Sequence, residues 1–185
     1  SVAEKLGSNG RNCYLLIDGP VIDPPLYMDE KYIESRVNSI RFCIKRNVNI
    51  IGFVKRVMGS NCLSYLKSEL GEERVAEFIN DLDLLSTVMF DAVKETSHPI
   101  FTRPLIFDEG TDDRGKLNLV YEFYKNKGLT VYYTYYKPSL RGRVYRIEYA
   151  SFEKLAEQEM LKRIGEILSI INGVWTLLGM EEPLL

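Results

Sequence analysis

The hydrophobic positions change period along this chain. Residues 13–17, Cys-Tyr-Leu-Leu-Ile, form a short apolar run that stops at Asp18-Gly19-Pro20, the pattern of a buried strand ending in a turn. Asp23-Pro24-Pro25 then imposes an extended loop, because the residue before each proline is pushed out of the helical region. A helical repeat begins after the capping residue type Asp29 and places Ile33, Val37, Ile40 and Ile44 on one face. Val48 to Val54 is a second buried strand, rich in β-branched residues, and it ends in Lys55-Arg56. Strand, helix and strand in this order make a βαβ-like unit. With parallel strands, Asp18 and Lys55 share one edge of the sheet.

Leu63 to Leu70 and Val75 to Leu85 continue the helical period. The period then shortens to two over Ile100 to Phe107, Leu117 to Asn126, Leu129 to Tyr136 and Arg143 to Tyr149, all rich in Tyr, Val and Phe, which predicts antiparallel strands. Asn126-Lys127-Gly128 fits a hairpin turn between the second and third of these. Alternation sends Tyr133 and Tyr135 to one face and Tyr132 and Tyr136 to the other. Asp108 to Lys116, with Gly110 and Gly115, reads as a mobile loop. Ser151 is expected to cap a long final helix on which Leu161, Ile164, Leu168 and Ile171 recur, running into Val174-Trp175-Thr176-Leu177-Leu178. That apolar end exceeds what one sheet face needs, and surplus aromatic surface is expected at a subunit interface. The expected architecture is one α/β domain whose mixed sheet is parallel in its first part and antiparallel in its second.

Composition narrows the classes. A chain of 185 residues with 45% hydrophobic and 11% aromatic content can bury roughly 70% of its unfolded surface, so disorder and low complexity are excluded. No apolar run approaches the ~20 residues that span a bilayer, and the start lacks both Met and the order of a secretory signal. The expectation is a soluble, cytoplasmic protein, trimmed or excised at its start. Cys13, Cys43 and Cys62 are too scattered for a disulfide framework, and with the single His98 they match no zinc spacing. They read as small buried hydrophobes in a reducing compartment. The net charge of −2 argues against nucleic acid as a partner, but its distribution argues for it. No acid lies between Arg36 and Ser68, and the stretch Lys137, Arg141, Arg143, Arg146 is likewise acid-free. Segregation of this kind can build a basic face on an acidic protein, although solvated helix faces give the same pattern.

Few residues remain to carry chemistry. His98 precedes Pro99 at a strand entrance, and neither phosphate-cradling glycine motif occurs. Metal-assisted hydrolysis of a phosphodiester needs hard oxygen ligands near cations that hold phosphate. Asp18 beside Lys55 and Arg56 has that character, although Asp-Gly is also an ordinary turn dipeptide.

Four segments in order carry a resemblance. Residues 14–25, Tyr-Leu-Leu-Ile-Asp-Gly-Pro-Val-Ile-Asp-Pro-Pro, and 51–56, Ile-Gly-Phe-Val-Lys-Arg, resemble the archaeal NurA nucleases. Asp81-Leu82-Asp83-Leu84-Leu85 and Arg143-Val144-Tyr145-Arg146-Ile147-Glu148 resemble two later NurA signatures, so the likeness covers nearly the whole chain. It implies an α/β fold with an RNase H-like or Piwi-like mixed sheet flanked by helices. It also implies a manganese-dependent nuclease, magnesium being the alternative ion, with 5′-to-3′ exonuclease and single-strand endonuclease activity in DNA end resection and repair. Such proteins are typically homodimers that work with a HerA-type hexameric translocase. The match places Asp18 as a catalytic metal ligand, with Lys55 and Asp83 as further catalytic candidates. Arg56, Lys137, Arg141, Arg143 and Arg146 are the DNA-binding candidates, with the neighbouring tyrosines available for stacking.

The sequence also departs from the family pattern. An Asp-Gly strand and a Glu that supply ligands upstream have no counterpart in residues 1–17, and Gly179-Met180 has Met where the family's later motif has Tyr. The chain is therefore expected to be a C-terminal piece of a single NurA-like domain, truncated at both ends. In that case a non-catalytic module binding DNA or a translocase is the alternative function.

Overall fold

The computed structural model describes residues 13–22, 29–57, 59, 61–96, 98–107 and 116–177, without the side chains of 61, 116–120 and 174–177. The extended loop expected at Asp23-Pro24-Pro25, the loop between Asp108 and Gly115, the Trp175 side chain and the Gly179-Met180 motif lie outside the described residues.

Strand β1 (Cys13–Asp18), helix α1 (Glu30–Ile44) and strand β2 (Val48–Val54) form the expected βαβ unit, with β1 and β2 parallel. Asp29 caps α1, its carboxylate accepting from the Lys31 amide at 2.9 Å, and Ile33, Val37 and Ile40 are buried on one face. Helices α2 (Asn61–Leu70) and α3 (Asp81–Thr96) follow, then short strands β3 (Ile100–Phe101) and β4 (Leu105–Ile106). Helix α4 (Lys116–Asn126), strands β5 (Thr130–Lys137) and β6 (Tyr145–Ser151), and helix α5 (Glu157–Leu177) complete the order. The six-stranded sheet runs β1-β2-β6-β5-β3, with β4 also on β5, and every pairing except β1·β2 is antiparallel. This is a mixed α/β sheet flanked by helices, as expected.

The sheet is covered on both faces. Tyr133 and Tyr135 join Val131, Ile50 and the buried faces of α1, α3 and α4, while Tyr132, Tyr136, Ile51 and Phe53 pack with Met160, Ile164 and Leu168 of α5. The alternation read for the tyrosines therefore holds. No helix among the described residues is long and apolar enough to cross a membrane.

Five expectations change. Residues 116–126 are a helix and not a strand, because Tyr121 and Tyr124, three apart, both reach the core. Asn126-Lys127-Gly128 consequently ends a helix: Gly128 takes φ +81° and the Leu129 amide returns to the Tyr124 carbonyl at 3.0 Å. Ile100 to Phe107 is split in two around Arg103-Pro104, since proline has no amide for the ladder. Ser151 ends β6 and hydrogen-bonds the Glu153 amide and carbonyl, six residues before α5 begins at Glu157, and the α3 helix starts at Asp81, later than Val75.

One close approach governs the edge that carries Asp18. After β1 the chain folds back over β2, so that a Cβ on Gly52 would lie 2.9 Å from both the Gly19 carbonyl oxygen and the Val21 nitrogen. Those contacts are backbone and cannot swing aside. Gly52→Ala is expected to destabilise the fold by about 1–3 kcal/mol, the usual cost of overpacking, read as a lower denaturant midpoint. An unchanged midpoint would show that the turn has room to move.

Candidate active site

Asp18 is the last residue of β1, and Lys55 follows the last residue of the parallel strand β2, so both sit at the same sheet edge. The Lys55 Nζ lies 3.0 Å from Asp18 Oδ2, with the side chains 34% and 61% exposed. An ion pair this open contributes no more than about 1 kcal/mol, so a cation at Asp18 or a phosphate at Lys55 displaces it at little cost.

Lys55 also lines a pocket of about 540 Å³, together with Arg56, Lys137, Arg141 and Arg143 and with Leu82 and Ser86 from α3. Alternation would turn Arg56 away from Lys55. The strand ends at Val54, however, and the bend at Lys55-Arg56 lets both line the pocket. Arg141 and Arg143 are exposed. Lys137 is buried and its ammonium donates to the Gly142 carbonyl, whose own amide donates to Ser139 Oγ at 2.9 Å. It thus holds the β5–β6 connection that presents the two arginines.

Arg146 lies elsewhere. It is buried on β6, its guanidinium 2.8 and 2.9 Å from Glu148 Oε1 and stacked 5.2 Å from the Phe107 ring centre. Burial is the largest influence and would lower its pKa, but the Glu148 carboxylate together with Tyr135 and Tyr133 outweighs that and raises it. Arg146 therefore does not face solvent as a backbone contact would. The acid-free stretch of residues 36–68 likewise makes no single face: Arg36 bonds the Val21 carbonyl at 3.3 Å, Arg41 the Lys127 carbonyl at 3.2 Å, and Arg46 stacks on Phe42 at 3.5 Å. Of that stretch, Lys55 and Arg56 line the pocket.

A family model described as NurA domain matches residues 1–183. The chain belongs to the NurA family. Comparisons with curated proteins and with solved structures return no match. NurA proteins are nucleases, which makes this chain a member of a phosphodiester hydrolase family, and a cationic pocket beside an exposed carboxylate suits that chemistry.

The metal that a NurA nuclease implies can be tested against the donors present. Manganese and magnesium take about six hard oxygen ligands. Among the described residues no three His, Cys, Asp or Glu side chains converge, at Asp18 or elsewhere. The described residues alone do not form a divalent-metal site.

The two acids of the Asp81-Leu82-Asp83 signature have different surroundings. Asp81 is buried and accepts from the Cys62 and Leu63 amides at 3.1 and 2.8 Å and from the Tyr135 hydroxyl, capping α2 from outside. Burial, then the nearby Asp81 charge, pushes the Cys62 thiol up to about 12 and the Tyr135 hydroxyl well above its ordinary value. Cys62 is the buried cysteine, whereas Cys13 and Cys43 are half-buried. Asp83 is exposed, accepts from the Ile79 amide at 3.2 Å and donates its own amide to Asn80 Oδ1 at 3.0 Å, a reciprocal cap of α3. It is not among the pocket-lining residues.

Sequence reading missed Glu148 as a structural centre. The available signal was a lone acid inside an apolar strand, two residues from Arg146 and so on its face. Asp83→Ala is expected to cost about 1 kcal/mol through the lost cap, measured by thermal unfolding. A catalytic Asp83 would instead show as lost cleavage at a temperature where the variant is still folded.

Proposed function

We propose that this chain is the DNA-cutting part of a NurA nuclease, hydrolysing phosphodiester bonds at the edge where β1 and β2 end. The observation that carries the reading is the exposed Asp18–Lys55 pair opening onto a pocket lined by Arg56, Arg141 and Arg143 in a NurA-family chain. In this reading Asp18 is one ligand of Mn²⁺, or of Mg²⁺, and the ion's remaining ligands are not among the described residues. Lys55 exchanges its partner for a substrate phosphate. Arg56, Arg141 and Arg143 follow the strand through charge, which makes binding salt-dependent and sequence-independent. The family resemblance supports 5′-to-3′ exonuclease and single-strand endonuclease activity in end resection, a homodimer, and a HerA-type hexameric translocase as partner.

One observation favours a second reading. With no group of three metal-holding side chains among the described residues, the chain could hold DNA or a translocase without cutting. Cleavage of a labelled single-stranded oligonucleotide in Mn²⁺ separates the two, with calorimetric titration of Mn²⁺ alongside. The nuclease reading expects turnover that Asp18→Ala abolishes while the melting temperature stays within about 2 °C, as an exposed pair predicts. DNA binding without cleavage or Mn²⁺ uptake supports the binding module, and turnover retained by Asp18→Ala removes that residue from the site.

A further inference from the structure

The turn that follows Asp18 is held by a residue that the sequence motifs contain but give no role. Its first bond belongs to the sheet: the Gly19 amide donates to the Phe53 carbonyl at 3.0 Å. Its return is held from β6, where the Val21 amide donates to Glu148 Oε2 at 2.7 Å. Glu148 has no exposure to solvent, and its other oxygen takes both contacts from Arg146. From the outer side Arg36 Nε grips the Val21 carbonyl at 3.3 Å. Strand β2 lies between β1 and β6, and at Gly52, opposite Ile17 on one side and Glu148 on the other, there is no side chain to keep the turn off the sheet.

A carboxylate withdrawn from water must have its lone pairs taken up, and two partners here do so from fixed positions. Strand β6 is central and pairs on both sides, so Glu148 is a rigid polar anchor for the backbone of a turn whose Val21 and Ile22 side chains enter the core. We infer that Glu148, backed by Arg146, is a positioning residue that fixes the Asp18-Gly19-Pro20-Val21 turn and thereby the direction in which the Asp18 carboxylate is presented at the sheet edge. The inference rests on the nuclease reading for its consequence in turnover, but the clamp itself can be read without turnover.

Two double variants separate the hydrogen bond from the ion pair. Glu148→Gln with Arg146→Met keeps an acceptor for the Val21 amide and removes both charges. Glu148→Leu with Arg146→Met removes the acceptor as well, and replacing a buried pair by apolar groups is commonly neutral for folding. Hydrogen exchange at the Val21 amide and the ¹³C shift of the Asp18 carboxyl are read in the full chain, and kcat and KM on single-stranded DNA in Mn²⁺ alongside. The Gln variant should keep the Val21 amide protected and kcat within about threefold of the unsubstituted chain. The Leu variant should expose the Val21 amide while Ile51 and Tyr132 stay protected, shift the Asp18 carboxyl signal, and lower kcat roughly 100-fold at unchanged KM, the scale of a misplaced reacting group. A Val21 amide still protected, or an Asp18 signal unmoved, in the Leu variant overturns the proposal. So does equal kcat in the two variants when the unsubstituted chain cuts DNA. Should the Leu variant not fold, Gly52→Ala displaces the same turn from below with the ion pair intact, and an unmoved Asp18 signal there overturns it equally. An unsubstituted chain that does not cut DNA sinks the nuclease reading alone, and the amide and carboxyl signals still decide the clamp.

Discussion

A single ion pair, Arg146 with Glu148, is set into the middle strand of the sheet and shut away from water. Removing one member of such a pair costs about 3–5 kcal/mol, a large share of the 5–15 kcal/mol that typically separates folded from unfolded chains. Much else has to be in place for it to be tolerated. Phe107 covers the guanidinium, Tyr133 and Tyr135 lie on the same sheet face, and the Val21 amide completes the carboxylate. The turn after β1 cannot move outward without leaving that acceptor short, nor inward past Gly52. Local sequence at Asp18 and remote sequence at Glu148 are thereby made into one constraint.

A second buried carboxylate does the same for the other wall of the pocket. Asp81 begins α3, caps α2 through the Cys62 and Leu63 amides, and is reached by the Tyr135 hydroxyl from the sheet. Since Leu82 and Ser86 follow it on α3, the pocket wall is positioned by the same bond that ties α2 and α3 to β5. The basic wall has its own brace in Lys137, which gives up its solvent contact to hold the Gly142 carbonyl and leaves Arg141 and Arg143 outward. Chemistry-bearing residues at this edge are exposed and lightly paired. The residues that hold them are buried and hydrogen-bonded.

The division decides what could be read from sequence. The βαβ unit was legible because apolar runs broken by Asp18-Gly19 and Lys55-Arg56 mark both strand ends, and their parallel pairing puts the two charges together. The faces of β5 were legible because a strand's side chains alternate strictly. Residues 116–126 were not, since Leu117, Leu119, Tyr121 and Phe123 alternate as a strand would while Tyr121 and Tyr124 supply the helical contact. Basic residues misled for a different reason. A list of arginines does not say which ones stack on aromatic rings or bond carbonyls, as Arg36, Arg41, Arg46 and Arg146 do here, and only tertiary structure sorts them from Arg56, Arg141 and Arg143.

In the proposed function, nucleic acid lies across the edge formed by the ends of β1 and β2 and the β5–β6 connection. Photo-crosslinking of a single-stranded oligonucleotide carrying 5-iodouracil, followed by mass spectrometry of the adducts, reads that location directly. Adducts are expected on the peptides that contain Lys55-Arg56 and Arg141-Gly142-Arg143, lost when unlabelled DNA competes. Adducts confined to α1 or α5, with none at that edge, would contradict it.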